Sequence, residues 1–285
     1  MKGTIVYLNG RYLPAARAQV SAWDRGFLYG DGLFETVRIY RGIPFALDAH
    51  LKRMRASGLR IGLVVPGHAR IWNGIIRELL SRNRLLASDT AVRLTVTRGI
   101  GGEGLLPPRR VRPTVLLTLR RLDPEIPHLQ QKGVAVALLP FHPGIGAFLA
   151  GVKTVDYLTA SIGKQIARRR GAYEGIYCTP SGEILEGTTS NLFIVRGRSV
   201  LTPRLASGVL PGITRSLVLR IAASEGFRAH EQRIRIEDLK KAEEAFLTAS
   251  TIEILPIRSV ENRRVGNRTW PTTRQLQKAF ADHRP

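Results

Sequence analysis

Alternating apolar and polar positions predict β-structure in the first third of the chain. Residues 4–8 and 33–40 are strand-like, and the Asn9-Gly10 pair after the first run predicts a hairpin turn. A further strand is expected over residues 43–47, after a second glycine turn. These runs indicate hairpins rather than long helices.

Helical spacing follows these hairpins. Leu51, Met54 and Leu59 share one predicted helix, and apolar residues recur at helical spacing over 71–80. Strands are then predicted over 92–97 and 114–119, on either side of a loop rich in Gly, Pro and Arg. The first part of the chain therefore predicts a mixed domain of strands and two helices.

Two prolines within residues 123–127 mark a linker, because proline disfavours both helix interiors and strand ladders. We expect a small amino-terminal domain over 1–121, a linker over 122–132 and a larger domain over 133–285. The second half predicts three strands and two helices, namely strands over 134–139, 175–178 and 192–195, a helix carrying Leu158, Ile162 and Ile166, and a helix that begins near Gly212. This order predicts an α+β fold of two domains.

Composition excludes several classes of protein. The 285 residues are 44% hydrophobic, which is too apolar for a disordered chain and sufficient for a sizeable core. A single cysteine, Cys178, excludes an internal disulfide and a multi-cysteine metal site, so no metal is predicted. Neither a membrane span nor a signal peptide is evident, so we expect a cytoplasmic protein without a membrane partner.

The formal net charge of +22 raises the alternative of a basic nucleic-acid-binding protein, because Lys and Arg neutralise phosphates. The basic residues are spread along the whole chain, and the clusters at 109–112 and 168–170 adjoin ordinary strand and helix patterns. No recognised nucleic-acid motif accompanies them. We therefore favour a solvated, arginine-rich surface, which would also attract small anionic substrates.

Three features of the second half suggest cofactor chemistry when they are taken together. Lys153 lies between a loop and an amphipathic helix, Glu186 lies in a stretch of small polar residues, and residues 210–215 (LPGITR) form a helix start suited to phosphate. A reactive lysine, a carboxylate for a ring nitrogen and a phosphate-binding helix start are what a pyridoxal phosphate (PLP) site requires. Each feature alone has an ordinary structural explanation.

The order and spacing of these motifs resemble the class IV aminotransferases. Residues 153–158 (KTVDYL), 186–191 (EGTTSN) and 210–215 carry the resemblance, together with 23–35 (WDRGFLYGDGLFE) and 50–53 (HLKR). The similarity extends from about residue 8 to residue 255. It implies fold type IV of the PLP-dependent enzymes, with a small amino-terminal domain, a larger carboxy-terminal domain and the cofactor between them.

The resemblance also implies roles for individual residues. Lys153 corresponds to the catalytic lysine, which is linked to the cofactor and carries the substrate's α-proton. The other implied cofactor contacts are Glu186 at the pyridine nitrogen, Tyr157 at the phenolic oxygen, Leu210 under the ring, Arg53, Ile213 and Thr214 at the phosphate with Ser250 and Thr251 beside them, and Ser190, Asn191 and Gly212 around these groups. The implied substrate-binding residues are Tyr29, Phe34, Arg93 and Arg98.

Cofactor motifs do not distinguish the branches of this family, so the substrate loops must. Residues 93–108 and Tyr29 resemble the branched-chain enzymes, although Ala91 stands where those enzymes usually have Tyr. Arg98 is similar to a carboxylate-binding arginine of the D-amino acid enzymes, but the histidine that follows it there is absent. The Phe-Glu-Thr sequence at 34–36 resembles aminodeoxychorismate lyases, whose loop arginine is replaced here by Glu103.

We therefore expect a transaminase that moves the amino group of an α-amino acid to a 2-oxo acid such as 2-oxoglutarate by a ping-pong mechanism. Branched-chain L substrates are slightly favoured over D substrates, because the loop motifs are closest to that branch. The alternatives are aminodeoxychorismate lyase and a non-enzymatic nucleic-acid-binding protein. The family resemblance further implies a homodimer.

Overall fold

The computed structural model describes residues 4–101, 104–141, 148–267 and 269–285. The chain divides into two units. One unit extends to Leu122 and includes Val152–Tyr157, and the other comprises Asp123–Gly151 and Leu158–Arg284. The segment that carries Lys153 therefore belongs to the first unit. The domain bounds predicted from the sequence instead place it in the second domain, over 133–285.

The first unit is built on an antiparallel sheet in the order β2-β1-β6-β5-β3-β4. Its strands are β1 (Ile5–Leu8), β2 (Arg11–Pro14), β3 (Gly32–Tyr40), β4 (Ile43–Pro44), β5 (Thr90–Thr97) and β6 (Thr114–Arg121). The predicted hairpin at Asn9-Gly10 is present, and both residues have positive φ, as such a turn requires. The strand expected over 43–47 is only two residues long, because a helix begins at Leu47.

The helices of the first unit are α1 (Arg25–Tyr29), α2 (Leu47–Ile61) and α3 (Ala69–Arg82). Helix α2 buries Leu51 and Met54, as its periodicity predicts. Leu59, which was grouped with them, is exposed. Helix α2 packs against strand β3.

The second unit contains a mixed sheet in the order β12-β11-β10-β13-β14-β7-β8-β9, with β15 paired to β14. Its strands are β7 (Val134–Leu139), β8 (Glu174–Cys178), β9 (Ile184–Gly187), β10 (Asn191–Arg196), β11 (Ser199–Pro203), β12 (Arg228–Gln232), β13 (Glu244–Ala249), β14 (Glu253–Val260) and β15 (Arg263–Arg264). The pairs β11–β12, β14–β7 and β7–β8 are parallel, and the others are antiparallel. A cluster of buried aliphatic side chains forms the core of this unit.

The helices of the second unit are α4 (Ile126–Lys132), α5 (Leu158–Arg169), α6 (Ile213–Ser224), α7 (Ile236–Lys240) and α8 (Pro271–Ala281). Helix α4 lies inside the segment predicted as a linker. The proline-based argument failed here because Pro127 is in the first helical turn, where its missing N–H has no intrahelical partner to lose.

Helix α5 packs through its small residues rather than its large apolar ones. Gly163 and Ala167 are buried, whereas Leu158 and Ile162 are exposed. A Cβ atom at Gly163 would lie 2.8 Å from a methyl group of Leu139, so the helix approaches the sheet too closely for a larger side chain. The spacing of 158, 162 and 166 predicted the helix correctly but only partly predicted its buried face.

Among the described residues, no helix is long and apolar enough to cross a membrane. The same residues contain no cluster of His, Cys, Asp and Glu side chains that could hold a metal ion. Cys178 is buried, and burial raises the pKa of its thiol.

Candidate active site

In the first unit, the Lys153 amine lies among aromatic side chains. Its Nζ atom donates a hydrogen bond to the Tyr157 hydroxyl at 3.1 Å and lies 4.5 Å from the centroid of the Phe34 ring. Phe34 and Tyr157 pack edge to face, with 4.9 Å between ring centroids. We call Lys153, Tyr157, Phe34 and Arg93 the lysine cluster.

Backbone hydrogen bonds hold Lys153 against strand β3. The Phe34 N–H donates to the Lys153 carbonyl at 3.1 Å, and the Val155 N–H donates to the Gly32 carbonyl at 3.0 Å. Leu33 and Thr154 form an isolated antiparallel bridge between these two bonds. The position of the lysine backbone is therefore fixed by the same strand that supplies Phe34.

Arg93 completes the lysine cluster from strand β5. Its guanidinium carbon lies 3.5 Å from the centroid of the Phe34 ring, and its Nε donates to the Thr95 hydroxyl at 3.3 Å. Burial lowers the pKa of Arg93. Among the described residues, no carboxylate pairs with Lys153 or Arg93, so the cluster holds two cationic side chains without an acidic partner. Such a site is suited to an anionic ligand.

Arg53 lies on helix α2 and forms a bidentate ion pair with Glu35 of β3. Its Nε donates to Oε1 at 2.7 Å and its Nη2 to Oε2 at 2.5 Å. The His50 Nδ1 atom lies 2.7 Å from the same Oε2. Both Glu35 and His50 are 1% exposed. Sequence reasoning placed Arg53 at the site but assigned no role to Glu35 or His50, which it used only as motif positions.

Two of the predicted substrate residues lie elsewhere in the first unit. Arg98 is buried, and all three nitrogens of its guanidinium have partners: Nε donates to Asp31 at 2.6 Å, and the other two donate to the carbonyls of Gly62 and Ile61. These contacts close the carboxyl end of α2, so the geometry gives Arg98 a structural role and does not support substrate binding. Tyr29 is 42% exposed, and the Arg25 guanidinium lies over its ring.

In the second unit, Glu186 is held by the chain around it. Its Oε2 accepts hydrogen bonds from the Asn191 side chain and from the Leu210 N–H, both at 3.0 Å. The Asn191 amide also donates to the Leu210 carbonyl at 2.9 Å. Glu186, Asn191 and Leu210, which are separated by up to 24 positions in the sequence, therefore form one contact group, which we call the Glu186 group.

Helix α6 begins directly after the Glu186 group. Gly212 is its N-cap residue, and no side chain caps the helix. The first N–H groups, at Ile213 and Thr214, lack intrahelical partners, and Thr214 is buried in the first turn. A Cβ atom at residue 212 would lie 2.0 Å from the Asn191 side-chain oxygen. Glycine is therefore needed here because the Asn191 side chain approaches so closely. The backbone conformation does not require glycine, because a φ of −63° is open to any residue.

Ser190 contacts Glu174 rather than Glu186. Its hydroxyl donates to Glu174 at 3.2 Å, and the Thr188 and Thr189 hydroxyls donate to the same carboxylate at 2.5 and 2.9 Å. The small polar residues that follow Glu186 thus largely surround the buried side chain of Glu174. No sequence signal near Glu174 indicated this role.

Ser250 and Thr251 lie in the turn between β13 and β14, and both are half-buried. On β13, Thr248 pairs across the ladder with Asn191. Its side chain is 1% exposed, and its hydroxyl has no hydrogen-bond partner among the described residues. Thr248 is thus a polar group near the Glu186 group that sequence reasoning missed.

A sequence model of the family described as amino-transferase class IV matches residues 32–260. The chain belongs to the class IV aminotransferase family.

Relatives and solved structures support this assignment. Aminodeoxychorismate lyase of Bacillus subtilis strain 168 is 34% identical over 275 residues, which cover 96% of this chain and 92% of the relative. D-alanine aminotransferase of Bacillus licheniformis is 30% identical over 282 residues, covering 96% and 95%. The structure of a branched-chain amino acid aminotransferase of Escherichia coli matches with a TM-score of 0.90 and 27% identity, over 99% of this chain and 94% of that one. The predicted family and α+β fold are confirmed.

Proposed function

We propose that this protein is a PLP-dependent transaminase that moves the amino group of an α-amino acid to a 2-oxo acid such as 2-oxoglutarate. The observation that carries the proposal is the lysine cluster, in which Tyr157 holds an amine near the Phe34 ring. The Arg93 guanidinium, which pairs with no carboxylate of the described residues, lies over the same ring. An amine is needed to carry a proton, and a guanidinium is suited to a substrate carboxylate.

The residues present fit PLP. An uncapped helix start at Ile213 and Thr214 offers N–H groups for the phosphate, and the absence of a side chain at Gly212 leaves room beside Asn191. The Glu186 carboxylate is held in place to receive a protonated ring nitrogen. The unpartnered Thr248 hydroxyl is a further polar group that a ligand could satisfy.

We assign the cofactor contacts to Arg53, Lys153, Tyr157, Glu186, Asn191, Leu210, Gly212, Ile213, Thr214, Ser250 and Thr251. When bound, PLP supplies an electron sink that stabilises negative charge at the substrate's α-carbon. Glu186 strengthens this sink by keeping the ring nitrogen protonated. Ser190 is omitted from this set because its hydroxyl is engaged by Glu174.

The chain's own residues would perform three tasks. The Lys153 amine would take the proton from the substrate's α-carbon and deliver it to the C4′ carbon of the cofactor, and the Tyr157 hydroxyl would orient that amine. Arg93 binds a carboxylate of the donor or acceptor, and Phe34 covers the site with an apolar surface. Two half-reactions of this kind, one for each substrate, constitute the ping-pong mechanism.

The decisive experiment is an absorbance titration of the purified protein with PLP. L-Leucine, D-alanine and R-1-phenylethylamine are then added separately. Conversion of the bound chromophore to pyridoxamine phosphate by one donor would establish transamination and identify the branch, and we expect L-leucine to act best. The Lys153→Ala variant should lose this conversion. Lys240→Ala, which removes an exposed lysine, is the matched control.

If Lys153→Ala converted the chromophore at the wild-type rate, the assignment of the proton carrier would be wrong. If the wild-type protein bound no PLP, the whole proposal would be wrong. The basic-protein alternative would then be tested by filter binding of nucleic acid across a salt series.

Aminodeoxychorismate lyase is the second candidate, and a specific observation favours it. The 34% identical relative from Bacillus subtilis carries that name. In addition, Thr36 lies directly opposite Arg93 in the β3–β5 ladder, so a hydroxyl shares the strand face of the lysine cluster. A bound chromophore that none of the three amino donors converts, together with release of pyruvate from aminodeoxychorismate, would favour the lyase.

A further inference from the structure

A buried group of three polar side chains lies where strand β3 and helix α2 meet. Glu35 accepts two hydrogen bonds from Arg53, at 2.7 and 2.5 Å, and one contact from His50 at 2.7 Å. The side chains of Glu35 and His50 are almost completely buried, and that of Arg53 is 10% exposed. We call Glu35, His50 and Arg53 the Glu35 triad.

The charge state of the triad follows from its surroundings. Burial opposes ionisation of Glu35, but the charge of Arg53 and the hydrogen bonds from His50 and Arg53 lower its pKa to about 2. Burial lowers the pKa of His50 despite the opposing effect of Glu35, and the charges of Arg53 and Lys153 lower it further, so the neutral imidazole is favoured at pH 7. The triad therefore pairs one carboxylate with one guanidinium, and the imidazole serves as a neutral hydrogen-bonding group.

The geometry of the pair restricts Arg53. The carboxylate engages Nε and Nη2, which are two adjacent nitrogens on one edge of the planar guanidinium. Each oxygen of the Glu35 carboxylate accepts one of these bonds. Any rotation of the Arg53 guanidinium would therefore break at least one of them. His50, three residues before Arg53 on the same face of α2, fixes the carboxylate in turn.

We propose that Glu35 is a positioning residue that holds Arg53 in the orientation in which it binds the phosphate of the cofactor. This inference rests on the proposed function, because it takes Arg53 as a phosphate ligand. Glu35 itself touches neither phosphate nor substrate. Its contribution is to fix one edge of the guanidinium before the cofactor arrives, so that no side-chain freedom is lost on binding.

A simple counter-ion role makes the opposite prediction. If Glu35 only neutralised Arg53, its negative charge would repel the phosphate, and removing that charge would strengthen phosphate binding. If Glu35 positions Arg53, removing one acceptor oxygen would weaken phosphate binding despite the more favourable charge. The sign of the change therefore separates the two roles.

The test compares PLP with pyridoxal, which differs only by the phosphate group. Dissociation constants for both are measured by fluorescence and absorbance titration of the apo-protein. For Glu35→Gln we expect the affinity for PLP to fall at least tenfold and the affinity for pyridoxal to stay within about twofold of wild type. Glu78→Gln is the matched control, because Glu78 also pairs with an arginine Nε at 2.7 Å but on the exposed surface. It should change neither constant.

Three outcomes would overturn the proposal: unchanged PLP affinity in Glu35→Gln, tighter PLP binding, or an equal loss for PLP and pyridoxal. The last would show a general loss of structure. If Glu35→Gln does not fold, Glu35→Asp replaces it, because it keeps the charge but shortens the side chain. A positioning role predicts that Glu35→Asp also binds PLP more weakly than wild type. A counter-ion role predicts no change in PLP affinity for this variant.

The two hypotheses fail separately. A wild-type protein that binds no PLP overturns both the proposed function and this inference. A wild-type protein that binds PLP much more tightly than pyridoxal, with Glu35→Gln unchanged, leaves the function standing and overturns the role of Glu35 alone.

Discussion

Glu35 and Glu174 are both 1% exposed, but different groups stabilise them. Glu35 faces an arginine and a histidine. Glu174 instead accepts bonds from three successive hydroxyls and from the Gly175 N–H, with the Lys164 amine 3.3 Å away. Those hydroxyls belong to the turn that joins β9 to β10, so Glu174 fixes the turn between the strands that carry Glu186 and Asn191.

Replacing Glu174 by Ala should therefore destabilise the second unit. The buried hydroxyls of Thr188 and Ser190 and the exposed hydroxyl of Thr189 would lose their acceptor, and we expect a loss of roughly 2–4 kcal/mol in the free energy of unfolding. Urea denaturation followed by circular dichroism measures this loss. Glu225→Ala, which removes a carboxylate bonded to Gln275 at the surface, should cost less than about 0.5 kcal/mol. Equal effects of the two substitutions would contradict the role assigned to Glu174.

The Glu35 triad predicts a pH dependence of stability. The pKa of His50 is lowered by burial from its ordinary value of 6.5, so the unfolded chain takes up a proton there that the folded protein does not. Stability should therefore fall as the pH drops below about 6.5, by at most ~1.4 kcal/mol per pH unit for this group. Glu35, with its pKa lowered from 4.5 to about 2, adds a further loss below pH 4.5.

Replacing His50 by Asn should make stability less sensitive to pH between 7 and 5, because the amide does not titrate. The free energy of unfolding is measured in urea at several pH values. His128→Asn, at an exposed position of α4, controls for removal of an imidazole in general. If wild type and His50→Asn showed the same pH dependence in this range, the neutral state assigned to His50 would be wrong.

At the scale of elements, the start of α6 illustrates how close packing positions polar groups. Gly212 touches Asn191, and Asn191 holds Glu186. Replacing Gly212 by Ala should push the Asn191 side chain away, destabilise the protein by about 1–3 kcal/mol and weaken PLP binding. The measurements are thermal unfolding and PLP titration.

Gly74 provides the matched control for that substitution. It lies inside α3, and a Cβ atom there would meet nothing within 4 Å. Gly74→Ala should stabilise the protein by roughly 0.5–1 kcal/mol, because alanine has the higher helix propensity. If both substitutions had the same sign, the close approach of Gly212 to Asn191 would not be the cause.

The sequence predicts many of the elements up to α6, but none of those that follow it. The helices α2, α3 and α6 follow from periodicity, because each buries its apolar side chains at helical spacing. The strands β3, β5 and β6 follow from short runs of apolar and β-branched residues between turns. Helix α4 was missed because proline is compatible with a first helical turn. The buried face of α5 was only partly predicted because small residues allow close approach there, and hydropathy does not reveal that requirement.

At the scale of the whole molecule, the sequence predicted which motifs belong to a class IV aminotransferase but not how their side chains are supported. Lys153, Glu186 and residues 210–215 are predicted site residues because their motifs occur in the order and spacing of that family. Glu35 and Glu174 were not assigned roles, because their partners lie 14–18 positions away and nothing local marks such pairs. Substrate binding by Arg98 stays a prediction, and a motif does not show that its guanidinium already donates to Asp31 and to two backbone carbonyls.

The net charge of +22 is a property of the whole chain, and it predicts a salt dependence of catalysis. A positive field raises the local concentration of anionic substrates, and salt screens it with a Debye length of about 10 Å at 0.1 M. The effect scales with substrate charge. Under the proposed function, KM for the dianion 2-oxoglutarate should rise several-fold between about 20 and 200 mM salt, and KM for the monoanion pyruvate should rise less.

Steady-state kinetics with both acceptors across a sodium chloride series measure this difference. Sodium acetate in place of the chloride separates screening from competition by a particular anion. If KM rose equally for the two acceptors, specific anion binding would explain the result and the field would play no part. If neither changed, the surplus of basic side chains would have no influence on the encounter with substrate.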